Sequence, residues 1–191
     1  MSKQIILASA SPRRKELLAQ LNIIPIIYTV DLDETPLPEE RPLAYVQRIA
    51  AEKSAKCAIE LGVNLPILAA DTSVVLGDRI MGKPQSKADS LAMLASLSGR
   101  THLVYTAVSL RGKMHSNAVS VTEVTFRKIS EPEIEAYWLT DEPADKAGGY
   151  AIQGLGSLFV ESIKGSYSGV MGLPLYETGR LLAEQGIDLL S

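Results

Sequence analysis

The residues of this chain that could do chemistry gather at a few points, the densest near the start. In Leu7-Ala8-Ser9-Ala10-Ser11-Pro12-Arg13-Arg14-Lys15, two hydroxyls precede a helix start and three basic side chains occupy its first turn. The first amides of a helix lack intrahelical acceptors, and the positive end of its dipole lies there, so such a terminus attracts anions. Cations are disfavoured at that end unless an anion is bound. Three of them in one turn point to a polyanion such as a triphosphate. The segment lacks the G-x-x-x-x-G-K-[ST] pattern and is not a Walker-type loop. A capped helix with a basic surface explains the same residues, and the segment alone does not choose between the two.

The acids come next. Asp71 follows a buried apolar run, and Glu34 lies in the acidic loop Asp31-Leu32-Asp33-Glu34-Thr35-Pro36. Ligands of open α/β sheets bind beyond the carboxyl ends of strands, where Asp71 is expected to project. Splitting a phosphoanhydride takes a divalent metal and an activated water, and a pair of carboxylates plus waters suits Mg²⁺ or Mn²⁺. Their ordinary uses are a turn after a strand for Asp71 and a solvated loop acid for Glu34.

Two lysines and one amide complete the set. Lys53 interrupts an apolar helical stripe of Val46, Ala50 and Cys57, so it either snorkels or reaches a phosphate. Lys83 is held in extended backbone by the following Pro84. The stretch Asp145-Lys146-Ala147-Gly148-Gly149-Tyr150-Ala151-Ile152-Gln153-Gly154-Leu155-Gly156 has four glycines, which let backbone approach a ligand closely. Gln153 can both donate to and accept from the edge of a uracil or thymine ring, although a flipped amide suits cytosine. His102 and His115 lack metal-ligand spacing, Trp138 is assigned to packing, and no Ser-His-Asp or nucleophilic cysteine arrangement is readable.

Elements that would position these groups follow from pattern. Apolar runs at 5–8, 23–29 and 65–70 predict strands, with Pro25 marking an edge. Residues 73–76 and 79–81 flank a Gly77-Asp78 turn, and the Val- and Thr-rich stretches 102–110 and 116–126 join around Gly112. Helices are predicted from Ser11 to about Asn22, over 41–61, from the Ser86 capping box to Gly99, from Ser130, and over 173–185. A last strand is expected over 157–163. Alternating βα units with a long hairpin imply an α/β fold, a mixed twisted sheet flanked by helices.

Composition sets the frame. The 191 residues fit one domain, and 46% hydrophobic content suffices for a core without disulfides. The lone Cys57 excludes a disulfide framework and points to a reducing, cytoplasmic setting. Met1-Ser2-Lys3-Gln4 leads into an apolar run too brief for a signal-peptide core, and no run is long enough for a spanning helix. Net charge of −3 and few aromatics argue against a nucleic-acid partner, and the lack of a spanning run argues against a membrane partner.

Taken together, the motifs resemble the Maf family of nucleotide pyrophosphatases along nearly the whole chain. The matching stretches are LASASPRRKELL at 7–18, Ala70-Asp71-Thr72 with Gly82-Lys83-Pro84, SGRTHLVYT at 98–106, DKAGGYAIQGLG at 145–156, and Gly172-Leu173-Pro174-Leu175. The resemblance implies one Maf-like domain of two lobes around a central cleft, similar to inosine triphosphatases. It also implies hydrolysis between the α- and β-phosphates with a divalent cation, and a homodimer. Asp71 matches the family's catalytic base, and Ser9, Arg13, Arg14, Glu34, Lys53 and Lys83 its phosphate- and metal-handling positions. Ser11 is taken with these as substrate-binding, and Thr72 and Gln153 match positions tied to substrate choice. The Ala-Ile-Gln-Gly version of the glycine-rich loop looks like the branch acting on dTTP and UTP. The rival expectation is a nucleotide-binding regulator of cell division that acts without catalysis; it needs the basic cluster but not Asp71.

Overall fold

In a computed structural model that describes residues 4–190, one mixed sheet runs through the molecule. The opening Met1-Ser2-Lys3 lies outside the described residues. Strand β1 (Ile6–Leu7) is followed by helix α1 (Pro12–Gln20), edge strand β2 (Ile26–Ile27) and the long helix α2 (Pro42–Leu61). Then come β3 (Ile67–Leu76), β4 (Arg79–Met81), α3 (Lys87–Leu97) and the hairpin β5 (Thr101–Arg111) and β6 (His115–Phe126). Helix α4 (Glu131–Trp138), 3-10 turns at Ala147–Gly149 and Leu155–Phe159, β7 (Val160–Lys164), α5 (Tyr167–Met171) and α6 (Leu175–Glu184) complete the chain. The sheet order is β2-β1-β3-β5-β6-β7, with β4 on β3. Pairs β1–β2 and β1–β3 are parallel and the others antiparallel.

Strand alternation divides the core between two faces. On β3, Ile67 and Ala69 turn to α2 and pack with Cys57, while Leu68 and Ala70 join Leu17, Leu18, Leu181 and Leu182 of α1 and α6. The same parity on β5 sends Ala107 to Tyr45, Val46 and Ile49 of α2, and Val108 and Leu110 to α1 and α6. Beyond this, Val74, Met81, Val104, Phe126, Tyr137, Tyr150 and Phe159 form a separate cluster with Leu94 and Leu97 of α3. One lobe thus surrounds β1 and β2, the other surrounds β4 and β7, and β3, β5 and β6 run through both.

Two expectations are corrected and one element is added. The stretches at 65–70 and 73–76 form one unbroken strand, so Asp71 sits in mid-strand and not past its end. The reason is the partner β5, which pairs with β3 continuously from Ile67 to Val75. The expected strand over 157–163 begins as a 3-10 turn and pairs only from Val160, because the Ser157 amide closes on the Gly154 carbonyl at 3.1 Å and the Val160 amide on the Ser157 carbonyl. Residues 167–171, given no element from sequence, make a short helix capped by Ser166, whose hydroxyl accepts from the Gly169 amide at 2.9 Å. Among the described residues no helix is long and apolar enough to cross a membrane.

Candidate active site

Asp71 gains its access from a gap in the sheet. On one edge of β3, β1 pairs at Ile67 and Leu68 and β4 pairs only from Val74. Between them lies Asp71-Thr72-Ser73, with a cleft of about 1150 Å³ opening there, ample for a nucleotide. Its walls include Ser9, Ser11, Arg13, Glu34, Lys53, Lys83 and Gln153, so sites predicted from five separate stretches of sequence face one space.

Alternation places Asp71 on the α2 face, where Lys53 meets it. The Lys53 ammonium donates to Asp71 Oδ1 at 3.0 Å and lies 2.8 Å from Glu34 Oε1. Lys53 therefore does not snorkel outward: it bridges two acids, whose oxygens lie within about 6 Å of each other. Asp71 is only 6% exposed. Burial pushes its carboxyl up, and Lys53 and Arg14 offset this only in part. A buried carboxylate with a raised pKa beside a cation in a cleft has the character of a general base. The donor chemistry also fits a hard divalent cation: two carboxylates converge on one point that already favours positive charge.

Glu34 is exposed, on a loop with no regular structure, and its position comes from outside the loop. The Tyr45 hydroxyl donates to the Glu34 carbonyl at 2.8 Å, and Arg48 donates to the Thr35 carbonyl at 3.2 Å. Arg48 also grips Glu40 with Nε and Nη2 at 2.7 and 2.8 Å, which holds the Glu40 carboxyl at about 2. Burial, with Asp71 and Glu34 nearby, pushes the Tyr45 phenol up to about 12, so it remains a donor. Neither Tyr45 nor Arg48 was found from sequence; both sit on α2 and share no motif with the loop they hold.

The basic cluster divides its labour. Arg14 is committed to protein partners: Nε donates to the Gly172 carbonyl at 2.8 Å, Nη1 to Ser9 Oγ at 2.9 Å, and Nη2 approaches Thr72 Oγ1 at 3.4 Å. It ties α1 to β3 and to the loop before α6. Ser11 occupies the N-cap position but its side chain makes no cap; Ser9 Oγ instead accepts from the Ser11 amide at 3.2 Å. Arg13 is half-buried with its Nε unpartnered, and burial lowers its pKa while Asp145 across the cleft opposes the shift. That nitrogen is shut off from solvent, while the Arg13 side chain as a whole lines the cleft. Thr72 Oγ1 lies 3.0 Å from Thr106 Oγ1, whose hydroxyl also reaches the Gly169 carbonyl at 2.7 Å.

The far wall comes from the other lobe. Lys83 is exposed on the connection from β4 to α3. The preceding Gly82 carbonyl accepts from the Gly148 amide at 3.0 Å, which joins this connection to the glycine-rich segment. Gly148 has φ of +69°, and a Cβ there would lie 2.8 Å from Val74, so only glycine fits. Gln153 is exposed at a bend closed by the Gly154 amide on the Ala151 carbonyl. His102 makes no site of its own: it is buried and hydrogen-bonds the Tyr150 hydroxyl at 2.9 Å.

The sequence profile described as "Maf-like protein" matches residues 4–185, nearly the whole of the chain whose geometry this is. The chain belongs to the Maf family. Among similar proteins, a dTTP/UTP pyrophosphatase of Methylococcus capsulatus is 51% identical, with 96% of this chain and 92% of the relative covered. One of Saccharophagus degradans is 50% identical, over 95% and 88%. The fold extends further than the sequence likeness. A HAM1 protein from Coxiella burnetii superposes with a TM-score of 0.53 at 17% identity, covering 95% of this Maf chain and 98% of that structure.

Proposed function

We propose that the protein is a nucleoside triphosphate pyrophosphatase acting on dTTP, UTP and modified pyrimidine nucleotides. The observation that carries this reading is the buried Asp71, bridged to Glu34 by Lys53 and facing the Arg13 and Lys83 cations across one cleft. The relatives that carry the name dTTP/UTP pyrophosphatase support the reaction and its substrates.

Arg13, Lys53 and Lys83 hold the phosphates, assisted by the free amides at the start of α1. Ser9 and Arg14 keep that turn in shape, with Ser11 opening onto the phosphates. Asp71 takes a proton from a water that attacks the α-phosphorus. The bond from that phosphorus to the bridging oxygen breaks, and pyrophosphate leaves with the oxygen. Glu34 and Asp71, the latter directly or through water, would hold Mg²⁺ or Mn²⁺, which supplies positive charge to the phosphate oxygens. Gln153 and Thr72 set the choice of base. In the cell the reaction removes excess or non-standard pyrimidine nucleotides, in the cytoplasm and as a homodimer. A regulator that only binds nucleotide would leave the buried Asp71 without a use.

The test is pyrophosphate release from a panel of triphosphates with Mg²⁺ or Mn²⁺, for wild type and Asp71→Asn. Cleavage of dTTP and UTP, lost in a variant that still binds nucleotide, is the expected outcome, with kcat falling roughly 10²–10⁴-fold. If no nucleotide is cleaved, or the variant matches wild type, the binding regulator takes its place.

A further inference from the structure

Behind the cleft wall lies a polar device that does not line the site. Glu142 follows Asp141, a residue in the left-handed region at φ of +59°, and its carboxylate accepts from three donors. These are the Tyr137 hydroxyl at 2.6 Å, the Leu155 amide at 2.9 Å and the Gly156 amide at 3.0 Å. The Tyr137 oxygen accepts in turn from the Ala151 amide at 3.1 Å. The bend Ala151-Ile152-Gln153-Gly154-Leu155-Gly156 is therefore held at both ends, by Tyr137 at its start and Glu142 at its finish, with Gln153 between them. Space is tight on the inside of the bend. A Cβ on Gly154 would lie 2.2 Å from Glu142, and one on Gly156 would lie 2.7 Å from both the Tyr137 hydroxyl and the Ala151 carbonyl. The Tyr137 ring is anchored edge-to-face on Phe159, 5.0 Å between centroids.

We infer that Tyr137 and Glu142 form a clamp that sets how far Gln153 stands from the phosphate-binding cluster, and so positions it to accept a pyrimidine and reject a purine. The inference rests on the reading of Gln153 as the base-contacting residue. Its chemical reason is that hydrogen-bond pattern alone cannot make this choice. Guanine offers an N–H donor beside an O6 acceptor, the same pair that thymine and uracil offer beside O4. An amide complementary to one is complementary to the other. What differs is the distance from that edge to the phosphates, and a fixed Gln153 backbone turns this distance into selectivity. Both clamp residues are positioning residues, since neither reaches the cleft.

Glu142→Gln places an amide N–H against at least one backbone donor, and Tyr137→Phe removes the link to Ala151 while keeping the ring on Phe159. Each variant is compared with wild type on dTTP and dGTP in the presence of Mg²⁺, alone and combined with Gln153→Ala. The expected result is a roughly tenfold fall in the dTTP over dGTP ratio of kcat/KM, arising in KM with kcat for dTTP nearly unchanged. In the Gln153→Ala background the clamp variants cause no further fall, because they act through Gln153. An unchanged ratio, or the same fall with and without Gln153, overturns the clamp. Nucleotide affinities measured by calorimetry on Asp71→Asn carry the same comparison without turnover. If wild type releases no pyrophosphate yet the clamp variants lose the preference for binding dTTP, the pyrophosphatase reading fails and the clamp stands. If Glu142→Gln does not fold, Tyr137→Phe decides the matter.

Discussion

At the scale of single residues, Asp71 is a carboxylate that the fold buries beside Lys53. Its folded-state pKa is raised above the ordinary 3.8. The folded protein therefore holds that proton more tightly than the unfolded chain, and the ionised carboxylate costs stability once the pH rises through this interval. The sign gives two outcomes. The acid limb of kcat/KM should have its midpoint above 3.8, read from a pH–rate profile. Asp71→Asn should melt no lower than wild type at pH 8, with any advantage shrinking toward pH 4 in calorimetric scans. Lys53 also lies 2.8 Å from Glu34, so the substitution does not strip it of every acidic neighbour. A lower melting temperature at pH 8 would mean that the pair with Lys53 outweighs burial.

At the scale of elements, the acidic loop depends on a helix to which no sequence motif links it. Arg48 joins the Thr35 carbonyl, the Glu40 carboxylate and Glu52, and so fixes the loop on α2. Arg48→Ala should loosen residues 31–40 without unfolding the domain, lower kcat/KM about tenfold through Glu34, and open the loop to limited proteolysis. Full activity with an intact loop would show that Lys53 and Tyr45 suffice. The Glu40 carboxyl, held at about 2, loses its grip only as the pH falls below about 4.5 toward that value. Because the Asp71 carboxyl is raised and that of Glu40 lowered, acidification should silence the base before the loop is released.

At the scale of the whole molecule, the cleft lies between two lobes that share β3, β5 and β6. A ligand reaching both walls should stabilise both at once. A non-cleavable dTTP analogue at about 100 times its Kd, with Mg²⁺, adds roughly 2.7 kcal/mol, or about 5–10 °C in Tm for a chain of this size. Hydrogen exchange should slow together at 9–14, around Lys83, and over 145–156. Protection confined to the first of these would place the nucleotide on one lobe only.

Much of this was legible in the chain itself. Caps, prolines and side-chain periodicity act over a few residues, so α1, α2, α3 and the hairpin of β5 and β6 could be read without coordinates, and so could the candidates Ser9, Arg13, Asp71, Lys83 and Gln153 that line one cleft. Tertiary structure alone decided how they are used. It made β3 continuous through Asp71 and left the edge beside it open, because β5 pairs along the strand while β1 and β4 cover only its ends. It turned Arg14 inward onto Gly172, 158 residues away, bridged Glu34 and Asp71 through Lys53, and set Glu142 behind Gln153. Such links join side chains far apart in sequence, and packing fixes them once the two faces of the sheet are filled; no local pattern encodes the distance between them.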